Sequence, residues 1–131
     1  QVELDELLQR SDIVSLHCPV TVQTKGLINA SALAEMKPTA YLVNTARGEL
    51  VDEAALLAAL TQNQLQGAAL DVFHQEPYAG PLAELDNVIL TPHIASSAIE
   101  TRLEMEKQAI DNLFKRLVLR NEIKLKEGVT S

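Results

Sequence analysis

Four short apolar runs, DIVSLH (12–17), AYLVNT (40–45), GAALDVF (67–73) and NVILT (87–91), constrain this chain more than any other feature. Each is apolar over most of its length instead of alternating with polar residues, as strands read when helices cover both faces of their sheet. Helical stretches separate the runs, which is the pattern of βαβ units and a parallel sheet. The expected class is therefore α/β.

The intervening segments carry their own start and stop signals. NASALAEM (29–36) offers Asn29 as an N-cap, places Leu33 and Met36 on one face, and ends at Lys37 and Pro38. Asp52 is placed to cap EAALLAAL, in which Leu56 and Leu60 stand one turn apart. Residues 74–86, HQEPYAGPLAELD, hold two prolines and a glycine and read mostly as loop, long enough to suggest a functional one. Ser97 and Glu100 form a capping-box pattern, and Ile99, Leu103, Ile110, Leu113 and Leu117 trace the stripe of a long helix ending near Val118. A polar tail, 119–131, follows.

Composition bounds the function. A chain of 131 residues is one domain or a piece of a larger one, and with only 3% aromatic residues its core must be built from Leu, Ile, Val and Ala. A net charge of −7 would repel phosphate backbones, so nucleic acid is not the expected partner. The single cysteine, Cys18, excludes an internal disulfide and fits a reducing compartment. No apolar run reaches the length of a bilayer span and no charged-then-apolar leader is present, so no membrane association and a cytoplasmic location are expected.

Parallel strands point their carboxyl ends to one edge, where ligands bind in open α/β sheets. The residues that follow the four runs are His17, Cys18 and Pro19; Asn44 through Gly48; Asp71 through Glu76; and Thr91, Pro92 and His93. An arginine, two carboxylates and a histidine are thus expected along one rim. A carboxylate beside an imidazole favours its charged form and fixes its orientation, as a proton donor and acceptor near neutral pH requires. Arginine grips a planar carboxylate through two parallel hydrogen bonds. Such a set suits a small organic acid bearing a hydroxyl or carbonyl, although surface ion-pair networks use the same residue types.

LVNTARGELVDEAALLAAL (42–60), ALDVFHQEP (69–77) and TPHIA (91–95), in this order and spacing, resemble the D-isomer-specific 2-hydroxyacid dehydrogenases, and DIVSLHCPVTVQTKGLIN (12–29) resembles the segment that precedes them. The resemblance spans residues 2–118 and implies a Rossmann-like domain that binds NAD, NADP not being excluded, and an oxidoreductase acting on a small D-2-hydroxy or 2-oxo acid. It implies that Arg47 binds the substrate carboxylate and polarises the carbonyl, that Glu76 keeps His93 protonated for reduction, and that His93 is the acid/base. Asp71 matches the position that contacts the carboxamide end of the coenzyme; Cys18, Pro19, Thr24, Thr45 and Ala46, with Arg47 and His93, match positions along its path, and Ser96 falls where the backbone approaches it. Cys18 and Thr24 also admit a packing role, His17 more simply closes a strand, and His74 is read as structural. A homodimer is implied for the intact protein.

The chain departs from the family pattern in containing no GxGxxG. The fingerprint glycines, and a substrate-binding domain, are expected upstream of Gln1, so residues 1–118 read as the latter part of a dinucleotide-binding domain. Taken alone, such a piece is expected to be catalytically incompetent and to self-associate through an unpaired strand edge. An NADH-sensing regulatory module of the same fold is the alternative to an enzyme.

Overall fold

A computed structural model describes residues 1–95 and 97–119. The elements are α1 (Leu4–Arg10), β1 (Ile13–Leu16), α2 (Ala30–Glu35), β2 (Tyr41–Asn44), α3 (Glu53–Thr61), β3 (Gly67–Leu70), β4 (Val88–Leu90) and α4 (Ile99–Leu119), with 3-10 turns at Gly48–Leu50 and Pro81–Glu84. The chain divides after Ala95, and α4 belongs to the second unit.

Within residues 1–95 the four strands form one parallel sheet in the order β1-β2-β3-β4. Leu16 pairs with Asn44, Asn44 with Leu70, and Leu70 with Leu90, so the last residues of all four strands form one row. The segments that follow therefore leave the sheet level with one another.

Local chemistry sets the helices where the sequence places them. The Asn29 Oδ1 accepts the Ala32 N–H at 3.1 Å and opens α2, and the Asp52 Oδ1 accepts the N–H groups of Ala54 and Ala55 at 3.1 and 3.0 Å to open α3. Leu33, Met36, Leu56 and Leu60 are buried in one core with Val14, Leu16, Leu42 and Leu70. The short helix α1 has no counterpart in the sequence reading; it joins the core through Leu8 alone, too little to leave a period. The third apolar run pairs only through Leu70, because Asp71, Val72 and Phe73 leave the sheet and are buried by packing instead.

Helices cover one face of this sheet within residues 1–95, not both. A right-handed crossover that always steps to the next strand in the same direction returns its helix to the same side, and β1, β2 and β3 are stepped through in that way. On the opposite face Ile13, Tyr41 and Ile89 are 65%, 48% and 68% exposed, around a cavity of about 540 Å³.

The second unit contains α4. It starts at Ile99, with the Ala98 carbonyl accepting the Arg102 N–H at 2.9 Å, one residue later than a Ser97 cap would give, and it runs to Leu119. Ile99, Leu103, Ile110 and Leu113 of the expected stripe are exposed. No helix among the described residues is long and apolar enough to cross a membrane.

Candidate active site

The candidate residues emerge along the rim that the strand row defines. After β4 the chain turns sharply: Pro92 lies inside a tight turn in which the His93 N–H donates to the Thr91 carbonyl at 3.0 Å. His93 then takes φ 55°, the left-handed region that costs a branched-free but bulky residue about 1–2 kcal/mol. Asp71 offsets that cost. Its Oδ1 accepts the Thr91 hydroxyl at 2.5 Å and the Ile94 N–H at 2.9 Å, and its Oδ2 accepts the Ala95 N–H at 2.9 Å. Two successive N–H groups beyond a left-handed residue make a concave anion site, and here the anion is a side chain of the neighbouring strand end.

Burial pushes the Asp71 carboxyl up, but the Thr91 hydroxyl, the Ile94 and Ala95 N–H groups and the nearby His93 together outweigh it and hold the group below its ordinary value. Asp71 is 3% exposed and stays ionised by virtue of these partners.

The turn aims His93 at Glu76. The His93 Nδ1 and the Glu76 Oε2 are 2.8 Å apart, and the Glu76 Oε1 accepts the Phe73 N–H at 3.1 Å. The His93 hydrogen bond, and after it the Phe73 N–H, hold the Glu76 carboxyl below its ordinary value. An ionised carboxylate carries no proton to give, so the ring must donate from Nδ1. That bond fixes the tautomer and leaves Nε2 as the ring nitrogen available to exchange a proton.

Arg47 is exposed in the turn after β2, on the same rim. The next residue, Gly48, is the most closely crowded of the described glycines: a Cβ there would lie 2.1 Å from the Phe73 carbonyl carbon and 2.6 Å from the His74 nitrogen. The Arg47 turn is thus seated directly on the loop whose Phe73 N–H anchors Glu76. His74 supports the same junction, its N–H donating to Glu53 Oε1 at 2.8 Å and its Nε2 lying 3.0 Å from the Val51 carbonyl, in line with a structural role.

Of the residues matched to a coenzyme path, Cys18, Pro19, Ala46 and Arg47 line one cavity of about 590 Å³ together with His17, Val20 and Glu49. Thr24 braces the loop below it, donating its hydroxyl to the Pro19 carbonyl at 2.7 Å and accepting the Thr21 N–H at 2.7 Å. The loop is tied to the Arg47 turn because the Gly26 and Ile28 N–H groups donate to the carbonyls of Glu49 and Leu50 at 2.8 and 3.0 Å. Thr45 is exposed on the rim, His17 sits just past β1 with its Nε2 2.8 Å from the Ser15 hydroxyl, and Ser96 lies outside the described residues.

Residues that the sequence places on this rim without a role of their own also build it. Asn44, 1% exposed, accepts the Ala46 N–H at 3.1 Å and donates from Nδ2 to the Arg47 carbonyl at 2.9 Å. A polar amide closing a buried apolar strand was the available signal. Thr91 and Gly48 left none, since their partners are 20 or more residues away.

Comparison with known proteins follows this geometry. The model of the D-isomer specific 2-hydroxyacid dehydrogenase NAD binding domain matches residues 1–95. A glyoxylate reductase of Thermofilum pendens is 53% identical over 123 residues, which cover 92% of this chain and 36% of that protein. An acyclic imino acid reductase solved with NADPH and D-Arg superposes with a TM-score of 0.79 at 39% identity, covering 91% of this chain and 38% of that one. The NAD-complexed D-isomer specific 2-hydroxyacid dehydrogenase of Lactobacillus delbrueckii ssp. bulgaricus gives 0.75 at 35% identity, covering 87% and 40%. The chain spans a little over a third of the length of the curated relatives it matches. With its one-rimmed parallel sheet and its motifs in register, the chain belongs to the D-isomer specific 2-hydroxyacid dehydrogenases and carries part of their NAD-binding domain.

Proposed function

We propose that the complete protein interconverts a small D-2-hydroxy acid and the corresponding 2-oxo acid, with NAD or NADP as coenzyme, and that Arg47, Glu76 and His93 carry the chemistry. The observation behind this reading is the Glu76–His93 pair, which engages Nδ1 and leaves Nε2 for proton exchange. The cavity lined by Cys18, Pro19, Ala46 and Arg47 lies at the carboxyl rim of the sheet, where coenzymes bind in such folds, and supports the same reading. A bound nicotinamide would supply or accept the hydride. Cys18, Pro19 and Ala46 would hold its end of the coenzyme, and Asp71 would act chiefly through the His93 turn, since both its oxygens already accept protein donors.

In the reducing direction the Arg47 guanidinium grips the substrate carboxylate and turns the 2-oxo group toward His93. The protonated ring gives its Nε2 proton to the carbonyl oxygen as negative charge develops there, and the Glu76 carboxylate stabilises the ring that carried the charge. In the oxidising direction the neutral Nε2 takes the hydroxyl proton. Glyoxylate and hydroxypyruvate, named in the relatives, are the first substrates to assay. We also propose residues 1–118 as the latter part of the dinucleotide-binding domain and a cytoplasmic homodimer as the working form.

His93→Ala in the complete protein is expected to lower kcat by about 10²- to 10⁴-fold, the usual worth of a positioned acid/base, while the dissociation constant for reduced coenzyme stays within a few-fold. Undiminished turnover would exclude His93 as the acid/base.

A further inference from the structure

The Arg47 turn is held by a polar residue that is itself buried. Asn44 is the last residue of β2, and its own carbonyl accepts the Asp71 N–H at 2.9 Å. Its side chain then turns back over the strand end: Oδ1 takes the Ala46 N–H at 3.1 Å and Nδ2 gives a proton to the Arg47 carbonyl at 2.9 Å. The Arg47 carbonyl also receives the Leu50 N–H at 3.3 Å, which begins the 3-10 turn. Arg47 itself is extended, φ −152° and ψ 141°, so its side chain direction is set by where this turn holds its main chain. Its guanidinium makes one described hydrogen bond, from Nη1 to the Ala46 carbonyl at 2.6 Å, and that acceptor belongs to the same turn.

The amide of Asn44 thus satisfies one donor and one acceptor of the turn while its backbone is fixed to the strand that ends in Asp71. No other side chain of this size does all of this. Aspartate has no proton for the Arg47 carbonyl and would bury a charge beside it; leucine, at a position that is 1% exposed, would leave the Ala46 N–H without its acceptor and the Arg47 carbonyl with only the Leu50 N–H. We propose that Asn44 is a positioning residue for substrate-carboxylate recognition: it locks the β2 turn to the Asp71 strand end and thereby fixes where on the rim Arg47 stands. This rests on the reading of Arg47 given above.

Asn44→Ser isolates the link. A serine hydroxyl still reaches back as an acceptor for the Ala46 N–H, as hydroxyls do in such turns, but it is too short to replace the amide proton on the Arg47 carbonyl. In the complete protein, Asn44→Ser should raise KM for the 2-oxo acid by about 10- to 100-fold, the scale expected for misplacing a substrate-binding group by about 1 Å. It should leave the dissociation constant for reduced coenzyme unchanged. The binding of oxamate, an unreactive isostere of a 2-oxo acid, to the coenzyme-loaded protein should weaken by the same factor. In an Arg47→Ala background the serine substitution should cost nothing further, because the group it aims is gone. An equal loss in both backgrounds, or an unchanged oxamate affinity in Asn44→Ser, overturns the proposal and spares the reading of Arg47. If Arg47→Ala alone leaves oxamate binding unchanged, the reading of Arg47 falls and the proposal with it.

Discussion

Gly48→Ala tests whether the junction between the Arg47 turn and the Glu76 loop is as tight as its geometry implies. Gly48 is not in the left-handed region, so its backbone accepts alanine, and loss of unfolded-state freedom would by itself stabilise the variant by about 0.4–1 kcal/mol. Contact decides otherwise. The added Cβ would lie 2.1 Å from the Phe73 carbonyl carbon, 2.4 Å from its oxygen and 2.6 Å from the His74 nitrogen, where ordinary contact begins at 3.4 Å. The two segments must therefore part by about 1.3 Å at the closest atom, and all three obstructing atoms are main chain, with no flexible side chain to swing away. Overpacking of this kind costs about 1–3 kcal/mol and here belongs at the upper end. With a urea dependence of about 1–3 kcal/mol per molar for a small domain, the unfolding midpoint should fall by about 1–3 M. Because Phe73 is the residue whose N–H holds Glu76, the same parting should separate Arg47 from the His93 pair and lower kcat/KM by about 100-fold. A midpoint equal to or above that of the wild type would refute the argument, because it would mean that the segments are not in contact where the close approach puts them.

Two further outcomes follow from the site and its scaffold. Asp71 is held below its ordinary value of 3.8, so its contribution to stability is complete above that pH and fades as pH falls toward the lower folded value. Asp71→Asn should lower the urea midpoint at pH 7, by about 1–3 kcal/mol in stability for facing the Ala95 N–H with an amide donor, and should flatten its decline as pH falls below the ordinary value of 3.8; parallel pH profiles for the two proteins would contradict this. Asp52→Ala removes the acceptor for two N–H groups at the start of α3 and should cost about 0.5–2 kcal/mol, measured by the same titration.

The expected strands, two helix caps and the core faces of α2 and α3 were legible because each depends on residues within a turn or two of one another. Asn29 and Asp52 cap N–H groups two or three positions ahead, and Leu56 and Leu60 share a face by the period of the helix itself. The motifs named the rim residues for the same reason, since each lies just beyond an apolar run. Reading stopped where burial had a second cause: Val72 and Phe73 are apolar yet unpaired, and Ile13, Tyr41 and Ile89 are apolar yet exposed in the unit that contains them.

By itself the sequence determined that parallel strands would deliver an arginine, two carboxylates and a histidine to one rim, because local patterns of burial and capping dictate which element each residue ends. The resemblance already paired Glu76 with His93; only the tertiary structure decided that Asp71 braces the turn that carries the ring. Glu76 faces the His93 ring while Asp71 is turned beneath it to hold the left-handed turn, across 17 residues in the one case and 20 to 24 in the other. That division follows from the level row of Leu16, Asn44, Leu70 and Leu90 and from a glycine small enough to let two main chains touch. Such distances are set by how strands pair and pack, which no spacing of letters along the chain records.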